Sequence, residues 1–139
     1  MANVIAGVRS YLLTKTVITD FVGLTRIHLH QLKQSATLPA IVMTRLFTTH
    51  EHDLSDLSGL AHARLQFECY ASTQLVADSL ARAIKGCGIV TQKGLTNGLD
   101  IRGVRVEEGL SDKDEAPTDG GNEYRYFTVI DLVIDYTET

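Results

Sequence analysis

Five histidines are the residues of this chain best suited to metal chemistry. His50-Glu51-His52-Asp53 form one short run, His62 follows, and His28 and His30 stand two apart. A catalytic zinc needs three protein ligands held at about 2.0–2.3 Å on a defined scaffold. Two histidines at i, i+2 share a side only in extended chain, and no second pair follows at a fixed spacing. The metalloprotease arrangement HExxH is absent; the string is His50-Glu51-His52. The plain reading is a set of exposed loop and strand-surface histidines. The sharper one is a small metal-dependent enzyme using His50, His52 and His62.

The other reactive groups are no more organised. Glu107 and Glu108 adjoin at a strand end, and Asp131 and Asp135 share one strand face. A carboxyl reaches a catalytic pKa range through burial or a like-charged neighbour, and both pairs read as solvated surface. Cys69 and Cys87 form no CxxC and read as buried free thiols, which behave as small hydrophobes. Gly86-Cys87-Gly88 follows a helix instead of opening one, so it lacks the helix N-terminus that cradles phosphate. These residues predict no enzyme, no cofactor and no bound metal.

The elements that carry these groups follow from periodicity. Val4, Ile5, Val8, Tyr11 and Leu12 recur on one helical face, giving a helix from about Val4 to Leu13. The β-branched cluster Thr14 to Thr19 argues against further helix. From Arg26 to His30 the period becomes two, and a second strand opens after Pro39. Phe47 to Gly59 reads as a long polar loop. The clearest strand is Ala61 to Tyr70. There Ala63, Leu65, Phe67 and Cys69 point one way, and His62, Arg64, Gln66, Glu68 and Tyr70 the other. Ser72 or Thr73 caps a helix ending at Gly86, with Asp78 and Arg82 as an exposed i, i+4 pair. Asp100 to Glu107 is a strand with Gly103 as its bulge, and Gly109 to Asn122 is an acidic loop. Tyr124 to Tyr136 forms a last strand. At ~3.4 Å per residue it would run about 44 Å, well beyond the usual ~17–20 Å, so it either overhangs the sheet or bends.

The result is a single α+β domain over residues 1–139, in the order α-β-β-β-α-β-β. It should form an antiparallel sheet of about four to five strands with two helices packed on one face. The chain carries a net charge of −4 and no basic run, which excludes a tight, sequence-independent duplex binder. No stretch approaches the roughly 18 apolar residues of a membrane span. The start lacks a signal peptide's basic start and apolar run, so a soluble, unexported protein is expected.

One stretch also carries a resemblance. Leu38-Pro39-Ala40-Ile41-Val42, with Arg45 after it, leads to a loop ending Ser58-Gly59-Leu60. Ala63-Arg64-Leu65-Gln66-Phe67-Glu68-Cys69-Tyr70-Ala71 then opens onto an Ala-rich helix, and Tyr124 to Val129 closes the pattern. This run resembles the tail-completion, or tail-terminator, family of long-tailed bacteriophages. It departs from that family in the acidic Gly109–Asn122 loop and in lacking a closing tryptophan.

The resemblance implies a structural virion protein at the tail–head junction, assembled in the host cytoplasm. Its partners would be its own copies in a ring, a hexamer on the tail, together with the major tail tube protein and the head–tail connector. DNA would pass through without specific binding, and no membrane is involved. The expected contact surface is Arg64, Gln66 and Tyr70 on the sheet, Leu54 and Leu57 in the loop, and Tyr126 on the last strand, which would pair by its edge. Another neck or minor tail adaptor is the alternative within the virion. A ligand-binding domain, which would need an apolar pocket, is the alternative outside it.

Overall fold

The computed structural model describes residues 4–30, 37–52, 57–89, 94–96, 99–114 and 125–137. Three helices and six strands follow one another along it. They are α1 (Val4–Leu13), α2 (Thr16–Val22), β1 (Ile27–Leu29), β2 (Ala40–His52), β3 (Leu57–Ala71), α3 (Gln74–Gly86), β4 (Gly94–Thr96), β5 (Leu99–Asp114) and β6 (Arg125–Thr137). The strands form one sheet in the order β1-β2-β3-β6-β5-β4. The fold is α+β, as the periodicity predicts.

The core lies between the sheet and the helices. Alternation along β3 sends Ala61, Ala63, Leu65, Phe67, Cys69 and Ala71 inward, all fully buried. Ile130, Leu132, Ile134 and Tyr136 do the same on β6, and Ile41 and Met43 on β2. Val4, Val8 and Leu12 of α1 and Leu80 and Ile84 of α3 close over them. Thr73 caps α3 by accepting from the Val76 amide at 3.3 Å.

Several elements differ from the sequence reading. The cluster Thr14–Thr19 does not stop the helical layer, because α2 forms there. Ile18 and Val22, one turn apart, are both fully buried. That burial outweighs β-branched propensity costs of well under ~1 kcal/mol per residue. Gly23, at φ +62, ends α2 by donating its amide to the Thr19 carbonyl at 2.8 Å.

The sheet is mixed rather than wholly antiparallel, and has a sixth strand in β4. β1 runs parallel to β2, with Ile27 opposite Ile41 and Leu29 opposite Met43. Arg26 ties the two strand starts together, its Nε donating to the Pro39 carbonyl at 2.9 Å. His30, at φ +71, turns the chain out of line just past β1. It therefore does not continue a strand with His28.

The long polar loop is mostly strand. Phe47 to His52 continue β2, with Thr48 opposite Ala63 and His50 opposite Ala61. A register shift between Arg45 and Phe47 breaks the alternation there, which hides the strand from a period-two reading. Leu57 opens β3; Leu54 lies outside the described residues. Gly109 to Asp114 likewise belong to β5, which shifts register at Ile101/Gly103 and Glu108/Ser111. The rest of the expected acidic loop lies outside the described residues.

The last strand neither overhangs nor lies at an edge. β6 sits between β3 and β5, both as long as it is, and pairs along its length with each. Gly86 is still helical, and the left-handed residue is Gly88 at φ +98. A Cβ on Gly88 would stand 3.0 Å from the Tyr11 hydroxyl, a tight contact, and the backbone angle there itself favours glycine.

Two outcomes follow from the core. Phe67→Ala should cost about 3–5 kcal/mol in urea unfolding, the range for emptying a fully packed aromatic site. Burial also pushes the thiols of Cys69 and Cys87 above their ordinary range. Above the unfolded thiol pKa near ~8.5, the unfolded chain releases the Cys69 proton while the folded chain keeps it. For fully buried Cys69 stability should then fall with rising pH by about 1.4 kcal/mol per unit, with a smaller contribution in the same direction from Cys87. Cys69→Ala should flatten that alkaline slope in pH-dependent unfolding curves.

Candidate functional site: the bare face of the sheet

The helices cover one face of the sheet, and among the described residues no helix covers the other. β3 presents His62, Arg64, Gln66, Glu68 and Tyr70 there, and β6 presents Phe127, Val129, Asp131, Val133 and Asp135. The pairing sets them in cross-strand rows: His62 opposite Asp135, Arg64 opposite Val133, Gln66 opposite Asp131 and Tyr70 opposite Phe127.

A charged cluster occupies the middle of this face. Glu107 of β5 stands directly opposite Asp131 of β6. Two carboxylates so placed repel. Arg64 reaches across from β3 and resolves the conflict. Its Nε donates to Asp131 Oδ2 at 2.9 Å, and its terminal nitrogen meets Glu107 Oε2. The hydrogen bond to Asp131, and then that to Glu107, holds the guanidinium above its ordinary pKa against the opposing effect of burial. Beside it His62 Nδ1 meets Asp135 Oδ1.

Among the described residues Asp131 is the buried acid of the face, 9% exposed, and its Oδ1 has no hydrogen-bond partner there. A buried charge half satisfied in this way depends strongly on its remaining partner. Ala40, Val42 and Val133 are buried on the same face, although no described helix covers them. Their cross-strand neighbours Tyr70, Glu68 and Arg64 are long, and such side chains lay their stems over shorter ones. At the Tyr70 end the face turns aromatic. The Tyr70 and Phe127 rings lie 5.6 Å apart at 43°, and the Tyr70 hydroxyl donates to Glu68 Oε2 at 2.6 Å.

The expected contact residues therefore separate. Arg64, Gln66 and Tyr70 share the bare face. Tyr126 does not; it alternates with Phe127 and so stands on the helix side with Thr128. Leu57 begins β3, and Leu54 is outside the described residues. Sequence reasoning missed Asp131 and Glu107 as partners of Arg64. The period-two pattern gave each residue's face, but only the strand order brings β5 beside β6. The expected Asp78–Arg82 pair is likewise replaced. Asp78 accepts from Gln74 Nε2 at 3.0 Å and from the Thr128 hydroxyl, which clamps α3 to β6.

The histidines do not gather. His62 stands opposite Thr49, while His50 stands opposite Ala61 and His52 opposite Leu57. Among the described residues no group of three His, Cys, Asp or Glu is placed to hold a metal ion. No described helix is long and apolar enough to cross a membrane. An open groove of about 510 Å³ lies between α2 and α3, lined by Val17, Asp20, Phe21, Ser79, Ala83 and Gly86. It offers one carboxylate and one hydroxyl, too few polar groups to orient a reaction.

No family model and no curated protein sequence matches the chain. Among solved structures, the chain is similar to one from the virion of a native gene transfer agent particle. The TM-score is 0.53 at 15% identity, over 94% of this chain and 92% of that chain. The likeness shows a shared fold over most of both chains.

The charged cluster is testable as a unit. Arg64→Ala should lower the urea midpoint more than Arg64→Ala combined with Asp131→Asn, because the single change strands a buried carboxylate and the double change does not. Equal losses in the two variants would show that Arg64 and Asp131 are not coupled.

Proposed function

We propose that this chain is a structural virion protein, a tail terminator that caps the head-proximal end of a phage tail tube and joins it to the head connector. The observation that carries the reading is the end-to-end fold likeness to a virion chain of a gene transfer agent. The Leu38–Ala71 resemblance to the tail-completion family points the same way, on other grounds.

The physical character of the fold is consistent with a wall element rather than a catalyst. Its charged groups on the sheet are spent on one another, in Arg64 with Asp131 and Glu107 and in His62 with Asp135. The net charge of −4 suits a passage that DNA traverses without adhering. In this reading the chain acts in several copies around the tail axis, a hexamer matching the tube. Its neighbours are the tube protein on one side and the connector on the other. Arg64, Gln66 and Tyr70 belong to the contact surface. The chain acts without a cofactor and catalyses no reaction.

Electron microscopy of particles made with the gene stopped at Tyr11 tests this. Filled heads separate from free tails of uncontrolled length are expected. Intact, infectious particles would overturn the reading.

A further inference from the structure

Both edges of the sheet are half covered. β1 pairs only with Ile41 to Met43 of β2, so among the described residues no strand lies along the outer side of β2 from Thr44 to His52. β4 pairs only with Leu99 to Ile101 of β5, which leaves the outer side of Arg102 to Asp114 in the same condition. Exposed strand edges are templates for another strand.

The two half-covers sit at opposite heights. Through the register, Leu29 lies level with Met43, Phe67, Ile130 and Glu108, toward one end of the sheet. Gly94 lies level with Ile101, Tyr136, Ala61 and His50, toward the other end. Strand sense agrees as well. β1 is parallel to β2 and β4 is antiparallel to β5. β2 and β5 themselves run in opposite senses, being joined through β3 and β6 by three antiparallel pairings. β1 and β4 therefore run in the same direction.

We propose that copies of this chain join edge to edge, with β1 of one copy at the level of Met43 and β4 of the next at the level of His50, in a single lane between β2 and β5. β1 then gains the neighbour's β5 on its open side, antiparallel, and β4 gains the first copy's β2, parallel. Each short strand acquires the second partner it lacks, and the sheet runs on from copy to copy. Charge fits the junction. Arg26, His28 and His30 accompany β1 in the sequence, and along β5, besides Glu107, which already meets Arg64, the sequence carries Glu108, Asp112 and Asp114 against Lys113. Joining β5 to β5 would set acid on acid instead. The contact is heterologous, so it propagates and closes only by rotation. This inference rests on the ring-forming role proposed above and supplies its interface.

The test is disulfide trapping of the purified full chain, with buried Cys69 and Cys87 left in place. Leu29→Cys combined with Glu108→Cys, and separately His50→Cys combined with Gly94→Cys, should give oxidised ladders beyond the dimer. The single variants should not. A second measurement, amide exchange of the unmodified chain, should show protection gained near His50–His52 of β2 and Glu108–Ser111 of β5 on concentration. Oligomers without ladder and without that protection overturn the edge contact. A dimer that stops there, or a monomer up to about 1 mM, where even the weakest specific complexes are populated, also overturns it. The tails of the gene-stopped particles report on the terminator role separately, whatever the ladder shows.

Discussion

The structure depends on the pairing of β3 with β6. Their register runs from Leu60 opposite Thr137 to Ala71 opposite Tyr126 without a shift. Side chains alternate strictly along such a ladder, and a slip of one residue would turn every one of them over. Here a slip of β3 would put Phe67 and Leu65 into solvent and bring Arg64 under the helices, and a slip of β6 would do the same with Ile130 and Asp131. The cost on both faces holds the register. The other elements take their places from it. β2 and β5 flank the pair, α3 is clamped to β6 through Gln74, Asp78 and Thr128, and α1 and α2 fill the remainder of the inner layer.

A central strand has a consequence for charge. Asp131 lies on β6 with strands on both sides, so neighbouring side chains exclude water from it even on the face that no described helix covers. A carboxylate there requires a cation, and Arg64 is the one placed to serve. The same guanidinium also quiets Glu107, whose position opposite Asp131 would otherwise weaken the β5–β6 pairing. One residue on β3 thus helps to hold two strand junctions. The opposite end of the face uses dispersion instead, through Tyr70 and Phe127. The face is therefore not a smooth polar surface. It has a charge-matched middle and an aromatic end.

What was legible in the sequence divides along physical lines. Wherever one face is buried and unbroken, periodicity suffices: α1 carries its expected bounds, and β3 shows its alternation from Ala61 to Tyr70. Wherever a bulge inserts a residue, the period is lost. The far half of β2 beyond Arg45 and the end of β5 beyond Glu108 therefore read as loops. α2 was hidden for another reason. Its residues are poor helix formers, and only the burial of Ile18 and Val22 makes the helix worthwhile. The charged cluster was half visible. The faces of Arg64 and Asp131 follow from alternation within each strand. Their contact follows from strand order, which no local pattern encodes.

Long open edges are ordinarily a hazard, since any extended chain can add to them. The arrangement here restricts what can add. β2 shifts register between Arg45 and Phe47, and β5 shifts twice, so neither edge offers a straight template. β1 and β4 block the two edges at opposite heights, so a uniform strand meets an obstruction on either side. A matching copy meets none, because its own short strand lies at a different height, Gly94 at the level of His50 where Leu29 stands at the level of Met43. Leu46 and Phe47, roughly half exposed on the open part of β2, fall beside that junction. Burying them would add a hydrophobic term to the backbone pairing. The features that make the edges unattractive to foreign strands are the ones that make them complementary to each other.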